Sequence, residues 1–260
     1  MKLALVGAGK MGGAVLTGAL QAGVLDASEV GIYHPDETRR NALAETFGVT
    51  PLSDDGIHGA ERILIAVKPQ SFGEVAPLIA RRSAAYISLM AGVSAEVIAR
   101  RVGSSRVVRA MPNLGARVGL SATAVAALPQ ATPDDLKTAQ QLFTAVGTVY
   151  AVPERLFDAF TGLAGSGPAF AALFAEALAD GGVRVGLSRE VAQGLAQQVL
   201  AASAVLLETR TPGSLKDEVA SAGGTAITGV KALEKHGLRY ATMQAVEDAS
   251  VRARELSEAS

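Results

Sequence analysis

Six residues, Gly7-Ala8-Gly9-Lys10-Met11-Gly12, stand directly after the apolar run Leu3 to Val6 and directly before an amphipathic stretch. That placement is what a dinucleotide-binding turn requires. Gly7 permits the tight turn, Gly9 lets a pyrophosphate approach the backbone, and Gly12 lets helix and strand pack closely, with the first free N–H groups of the helix aimed at the phosphates. Ala8, Lys10 and Met11 complete the loop. A merely structural Gly-rich turn would show similar letters; the strand before it and the helix after it favour a cofactor.

An NAD site usually ends its second strand in an acid that takes the ribose hydroxyls. Here the corresponding stretch reads Tyr33-His34-Pro35-Asp36, so His34 stands at the strand terminus and Arg39 and Arg40 open the next helix. A 2′-phosphate would be accommodated better than repelled, which favours NADPH and leaves NADH possible. The alternative is that both arginines only solvate a helix face. Ala66-Val67-Lys68-Pro69-Gln70 and Met111-Pro112-Asn113 follow later strands, at the edge where open α/β sheets bind ligands. Lys68 and Asn113 are thereby placed to meet a nicotinamide or its ribose, although most loop lysines only meet water.

Farther along, Leu163-Ala164-Gly165-Ser166-Gly167-Pro168 and Ser221-Ala222-Gly223-Gly224-Thr225 each precede a helix. The second combines bare backbone N–H groups, two hydroxyls and a helix start, a receptor suited to a carboxylate. The plainer reading of either is a helix cap with a hinge. His34, His58 and His236 have no metal-ligand spacing, so no metal is expected, and no Ser–His–acid motif is present. Hydride transfer suits such an inventory, because the cofactor supplies the reactive atom and the protein orients it.

The elements that must carry these residues divide the chain in two. Short apolar runs (Leu3 to Val6, Val30 to Tyr33, Ile63 to Val67, Ala85 to Leu89, Arg106 to Ala110) alternate with helical stretches (Gly12 to Ala22, Asp36 to Phe47, Phe72 to Ala80, Ser94 to Arg101). Such alternation predicts a parallel sheet covered on both faces. Ala122 to Leu128 and Thr148 to Val152, either side of a helix from Pro133 to Ala145, extend it. After Pro153 the periodicity is helical only, which predicts a dinucleotide-binding domain over 1–153 and an all-helical domain over 154–260. The predicted helices there are Pro168 to Asp180, closed by Gly181-Gly182; Ser188 to Thr209; Ala226 to Lys235, closed by Gly237; and a last one ending near Ser257.

Of 260 residues 49% are hydrophobic but only 4% aromatic, so Ala, Val, Leu and Ile must fill the interior. A net charge of −1 argues against nucleic acid as a partner. The absence of Cys rules out disulfides, iron–sulfur clusters and thiol catalysis. Gly7, Gly9 and Lys10 break the only stretch that could begin a signal peptide, and no uninterrupted apolar run is long enough for a membrane span, so a soluble cytoplasmic protein is expected. Small residues on long apolar helix faces favour a homo-oligomer over a monomeric bundle.

Together the motifs resemble pyrroline-5-carboxylate reductase along the whole chain. Gly7 to Gly12, Ala66 to Gln70, Met90-Ala91-Gly92-Val93 and Arg109 to Asn113 are shared in style with related dehydrogenases; Asp158 to Pro168, Asp180 to Arg189 and Pro212 to Glu234 are more diagnostic. The resemblance implies reduction of the cyclic imine L-Δ1-pyrroline-5-carboxylate to L-proline by NADPH or NADH. It also implies a Rossmann-like domain followed by an all-α domain that interlocks with a partner. Ser221, Gly223 and Gly224 then match the stretch that holds the substrate carboxylate, Lys68 and Asn113 match cofactor-side positions, and Thr225 and Lys68 are the catalytic candidates. Three positions depart from the family pattern. Ala164 replaces a usual Ser, Leu114-Gly115 replaces Thr-Pro, and Gly223-Gly224-Thr225-Ala226 replaces Gly-Gly-x-Thr, so the hydroxyl often assigned to the substrate nitrogen is missing. The alternatives are an NADP-dependent dehydrogenase of the hydroxyacid or coenzyme F420 type and a non-enzymatic NADP-binding protein.

Overall fold

The computed structural model describes residues 1–258. Its sheet is built from Leu3–Val6 (β1), Val30–Tyr33 (β2), Thr50–Pro51 (β3), Arg62–Ile65 (β4), Ala85–Ser88 (β5), Val107–Pro112 (β6), Ser121–Ala127 (β7) and Gly147–Ala151 (β8), in the order β3-β2-β1-β4-β5-β6-β7-β8. Every residue of β1, β2 and β5 is buried, as expected of strands covered on both faces. The helices Lys10–Gln21 (α1), Glu37–Phe47 (α2), Phe72–Ile79 (α3), Ala95–Val102 (α4) and Pro133–Thr144 (α5) supply that cover. One core cluster joins Tyr33, Ile63, Ile65, Phe72, Tyr86 and Ile98; the other joins Leu5, Val15, Leu16, Ile32, Leu64, Leu142 and Phe143.

Register sets the site. Val6 lies opposite Tyr33 on one side and Ile65 on the other, and Ile65 lies opposite Ser88, all in parallel pairing. The residues that follow, Gly7, His34, Ala66 and Leu89, therefore leave the sheet side by side at its carboxyl edge. The expected parallel sheet holds from β3 to β6, but β7 pairs antiparallel with β6. Only the short connection 113–120 separates those two strands, too few residues for a crossover helix. The sequence also gave no sign of β3, which is two exposed residues long.

By contact the chain forms two compact units, Met1–Gly165 with the chain from Ala249 onward, and Ser166–Asp248. Sequence periodicity changes at Pro153, whereas residues 154–165, comprising the helix Phe157–Phe160 (α6) and a π-helical turn over Thr161–Gly165, lie with the sheet.

The second unit contains Gly167–Arg184 (α7), Arg189–Leu206 (α8), Pro212–Val219 (α9), Thr225–Lys235 (α10) and the first part of Leu238–Glu258 (α11). Contrary to expectation, Gly181-Gly182 does not end α7. The helix continues to Arg184, and Gly182 instead allows close packing of α8, since a Cβ there would lie 3.1 Å from that of Ala192. The left-handed residue that ends it is Gly186, with φ +105°. Thr211-Pro212-Gly213 opens α9, with Thr211 as its cap and Pro212 in the first turn, where its missing N–H costs nothing. By length and composition alone the helical run Glu154–Arg184, which spans the boundary of the two units, could cross a membrane, and little of it is buried.

At the amino edge of the sheet, Asp135 is fully buried and accepts two hydrogen bonds from Arg106 (2.9 and 2.8 Å), while Thr132 completes a capping box with it. Burial alone would raise the Asp135 carboxyl, but the Arg106 and Thr132 hydrogen bonds outweigh it and hold the group below its ordinary value. A depressed native value stabilises the fold above the unfolded carboxyl's range and loses that effect as pH falls through the lowered value. Asp135→Asn is expected to cost about 2–3 kcal/mol at neutral pH, with Arg106 partly solvated. In denaturant titrations the gap to wild type should shrink below about pH 4; a gap independent of pH would show that the charge is not what stabilises.

Candidate functional site

The first turn of α1 begins at Gly9, whose extended backbone (φ −73°, ψ −171°) leaves it as a cap with no side-chain hydrogen bond, and no acidic residue stands in that turn. Gly13 N–H already bonds the Gly9 carbonyl, so the amides before it are the ones free to meet an anion. The three glycines differ in the space around them. A Cβ on Gly12 would lie 2.6 Å from the Gly7 carbonyl oxygen and 2.7 Å from the Ala66 Cβ; one on Gly7 would lie 2.8 Å from the Ala66 carbonyl carbon, at φ +90°. A Cβ on Gly9 would meet nothing within 4 Å. Gly7 and Gly12 thus shape the turn, while Gly9 leaves open ground above it. This is a cradle that a pyrophosphate fits.

A cleft of about 300 Å³ extends from that turn and is lined by Gly7, Ala8, Gly9, His34, Arg39, Ala66, Val67 and Lys68. The structure therefore gathers eight of the expected cofactor residues into one depression. Lys10 faces a neighbouring groove with Ala8 and Gly9, Met11 packs against the core, and Pro69 opens the short helical turn after Lys68.

At the far end of the cleft Asp36 caps α2 by accepting from Arg39 N–H (2.9 Å), and His34 Nδ1 accepts from Asp36 N–H (3.0 Å). A neutral His34 therefore carries its proton on Nε2. Arg40 is largely buried and donates to the His34 carbonyl oxygen (3.3 Å), whereas Arg39 is exposed along the cleft wall and has no ion-pair partner among the described residues. The two arginines are not equivalent: Arg40 braces the strand exit, and Arg39 is available to an anion. Tyr33 donates to Asp54 (2.8 Å); burial first, and then Asp54, push its hydroxyl up to about 12. It stays a neutral donor.

Asn113 was expected to meet a nicotinamide or its ribose; in the structure its carboxamide makes hydrogen bonds within the protein. Its Oδ1 accepts from Gly115 and Ala122 N–H (3.1 and 3.2 Å), and its Nδ2 donates to the Ala164 carbonyl oxygen (2.8 Å). It ties the loop after β6 to the π-helical turn. Ala164 lies 51 positions along the chain, and nothing in the sequence hints at this pairing.

In the helical unit, Gly224 caps α10 in an extended conformation without a side-chain bond, Gly223 turns at φ +69°, and Gly224 N–H bonds the Ser221 carbonyl oxygen (3.0 Å). A Cβ on Gly224 would lie 2.4 Å from Ser221 Oγ, so glycine is what lets that hydroxyl lie over the helix start. Ser221 and Thr225 are exposed, and Thr228 donates back to the Gly224 carbonyl oxygen (3.0 Å). The Ser221 hydroxyl and the start of α10 thus share one exposed turn.

Sequence reading missed one constellation, formed by Arg109, Glu154 and Phe157. Arg109 is buried in β6, donates to Glu154 (2.9 Å) and lies 4.8 Å from the centre of the Phe157 ring. The only available signal was an arginine in an otherwise apolar strand.

Fold and cleft define an oxidoreductase that works with a nicotinamide dinucleotide. A family model described as NADP oxidoreductase, coenzyme F420-dependent, matches residues 2–92, and one described as pyrroline-5-carboxylate reductase dimerisation matches residues 154–256. A pyrroline-5-carboxylate reductase of Thermus thermophilus is 51% identical, covering 99% of each chain, and one of Pisum sativum is 41% identical, covering 98% of this chain and 96% of its own. Among solved structures, a pyrroline-5-carboxylate reductase from Coxiella burnetii superposes with a TM-score of 0.89 at 30% identity and 98% coverage of both chains. That from Plasmodium falciparum, with NADP bound, gives 0.83 at 28% identity, covering 99% of this chain and 98% of its own. The chain belongs to the pyrroline-5-carboxylate reductase family.

Proposed function

We propose that this protein reduces the C=N bond of L-Δ1-pyrroline-5-carboxylate to give L-proline, the last step of proline biosynthesis, using NADPH in preference to NADH. The observation that carries this reading is an open glycine cradle and a carboxylate-receiving turn, Ser221 to Thr225, in one chain related to these reductases over its full length. The bound dinucleotide supplies the hydride. Gly7 to Gly12 receive its pyrophosphate; His34 and Arg39 receive the 2′-phosphate end; Ala66, Val67, Lys68 and Pro69 form the wall toward the reacting end, with Asn113 holding the next loop in place. Ser221, Gly223 and Gly224 hold the substrate carboxylate.

The protein acts as a dimer built by its helical half, in the cytoplasm, on a small molecule, without nucleic acid or membrane. The readout of the activity is loss of reduced-nicotinamide absorbance on adding the imine. A pure NADP-binding protein would bind cofactor and leave that absorbance unchanged.

Of the two arginines Arg39 is the one free to meet the 2′-phosphate, so Arg39→Ala is expected to lower kcat/KM for NADPH about tenfold or more while leaving NADH nearly unchanged. An equal loss with both cofactors, or an initial preference for NADH, would remove the assignment. Ala226 offers no hydroxyl to the imine nitrogen, and hydride adds to carbon only as that nitrogen gains a proton. The substrate is taken to bind already protonated, its carboxylate held by Ser221 and the α10 amides; Thr225 or a water is the alternative donor. Thr225→Ala should then cost less than about tenfold in kcat. A loss of about a thousandfold, roughly 4 kcal/mol, with KM unchanged would make the Thr225 hydroxyl essential.

A further inference from the structure

Two segments reach the carboxyl edge of the sheet that carries the cofactor cleft, the loop Leu89 to Val93 after β5 and the end of β6, Met111-Pro112, running into Asn113. In an open α/β sheet this edge is where the ligand lies. An ion pair between buried Arg109 and partly buried Glu154 joins them. Glu154 Oε1 accepts from Ala95 N–H, the first amide of α4 (2.8 Å), and the same oxygen accepts from Arg109 Nη1 (2.9 Å). Ser94 caps the same helix start from its side chain (3.3 Å to Val97 N–H), so Glu154 closes a turn that follows directly on Gly92, itself at φ +75°. Arg109 lies opposite Ser88 of β5 and two residues before Met111. Besides Glu154 its guanidinium meets the Phe157 ring, and its Nε is buried without a partner. Beside the pair is a cavity of about 340 Å³ that Val93, Ser94, Arg109 and Glu154 all reach. Met90, Val93 and Ala95 anchor the loop in the core, and on the side facing the cavity the polar tie adds a second restraint.

We propose that Arg109 and Glu154 are positioning residues for the reduction, setting the β5 and β6 exits relative to each other so that the reacting end of the dinucleotide is held at the right depth. This inference rests on the reductase reading. Neither residue exchanges a proton or touches the substrate; they act through the α4 start and through the end of β6 that leads into Asn113. Their removal should therefore slow hydride transfer while leaving the pyrophosphate cradle, several strands away, able to bind.

The test uses the full-length protein and two variants, Glu154→Ala and the double variant Arg109→Met with Glu154→Ala. The single change strands a buried cation and is liable to lower stability for that reason alone; the double change removes both charges and keeps the measurement interpretable. Amide exchange is followed over 89–97 and 109–115, NADPH affinity by fluorescence, and hydride transfer in single turnovers with saturating NADPH and imine. In the double variant, exchange in those two segments should rise about tenfold with the rest of the sheet unchanged. Single-turnover hydride transfer should fall about a hundredfold, as expected of a slightly misplaced reacting group, with NADPH affinity within about threefold of wild type. Wild-type rates in the double variant, unchanged exchange alongside a slow rate, or affinity and rate falling together would each overturn the proposal. Failure of the wild-type protein to turn over the imine would instead count against the reductase reading itself.

Discussion

Gly9→Ala is expected to leave the fold intact and yet to cost about a hundredfold in dinucleotide affinity, roughly 3 kcal/mol. The expectation follows from the different surroundings of two glycines three residues apart. At Gly9 the backbone (φ −73°, ψ −171°) suits any L residue, and an added methyl touches nothing in the protein. What the methyl occupies is the approach to the free amides of α1, where a pyrophosphate would sit. At Gly12 the added methyl meets the Gly7 carbonyl oxygen and the Ala66 Cβ, both fixed by the sheet. Gly12→Ala must push α1 away from β1 and β4, and is expected to lose about 2 kcal/mol or more of stability together with binding. Thermal unfolding and NADPH titration of both variants check the contrast. If Gly9→Ala binds normally, the cradle is structural; if it unfolds, the open ground above Gly9 has been misread.

Breaking the helical dimer should have a comparably large effect. Between Ser166 and Asp248 the fully buried apolar side chains are Ala179, Ala192 and Ala196, too little to stabilise a unit of that length by itself. Meanwhile Leu173, Val185, Tyr240 and Met243 are between 64% and 81% exposed, and Leu195 and Val199, one turn apart on α8, are each about half exposed. Solvent-facing apolar side chains in such numbers mark a surface that another chain covers. A second copy of this chain is the proposed partner. Leu195→Asp with Val199→Asp is expected to give a monomer by light scattering and to reduce turnover at least about a hundredfold, and the wild-type unfolding temperature should rise with protein concentration. A wild-type protein that is monomeric and active at assay concentration would contradict the dimer.

Much of this was legible before any coordinates. The Gly7 to Gly12 loop could be read because its chemistry is local: a strand, a turn and a helix within twenty residues, each with its own signal. His34, Arg39 and Lys68 were legible for the same reason, since parallel register brings the ends of successive apolar runs to one edge. Pairings across long stretches of chain were not. Asn113 finds Ala164, and Arg109 finds Glu154, because residues 154–165 pack with the sheet unit, which no periodicity reveals. The difference between Arg39 and Arg40 was hidden as well, because it depends on which side of α2 faces the cleft. Gly181-Gly182 misled for a physical reason: glycine ends helices by its left-handed freedom and lets helices touch by its lack of a side chain, and only the position of Ala192 tells which is in use.

The central claim is that the chain moves hydride from a nicotinamide dinucleotide to the carbon of a cyclic imine. The most direct measurement is stoichiometry, with NADPH consumption followed by absorbance in the presence of limiting L-Δ1-pyrroline-5-carboxylate and L-proline quantified in the same sample. One proline formed for each NADPH oxidised, and no oxidation without the imine, is the predicted result. Bound NADPH that stays reduced in the presence of the imine, or oxidation without equimolar proline, would contradict it.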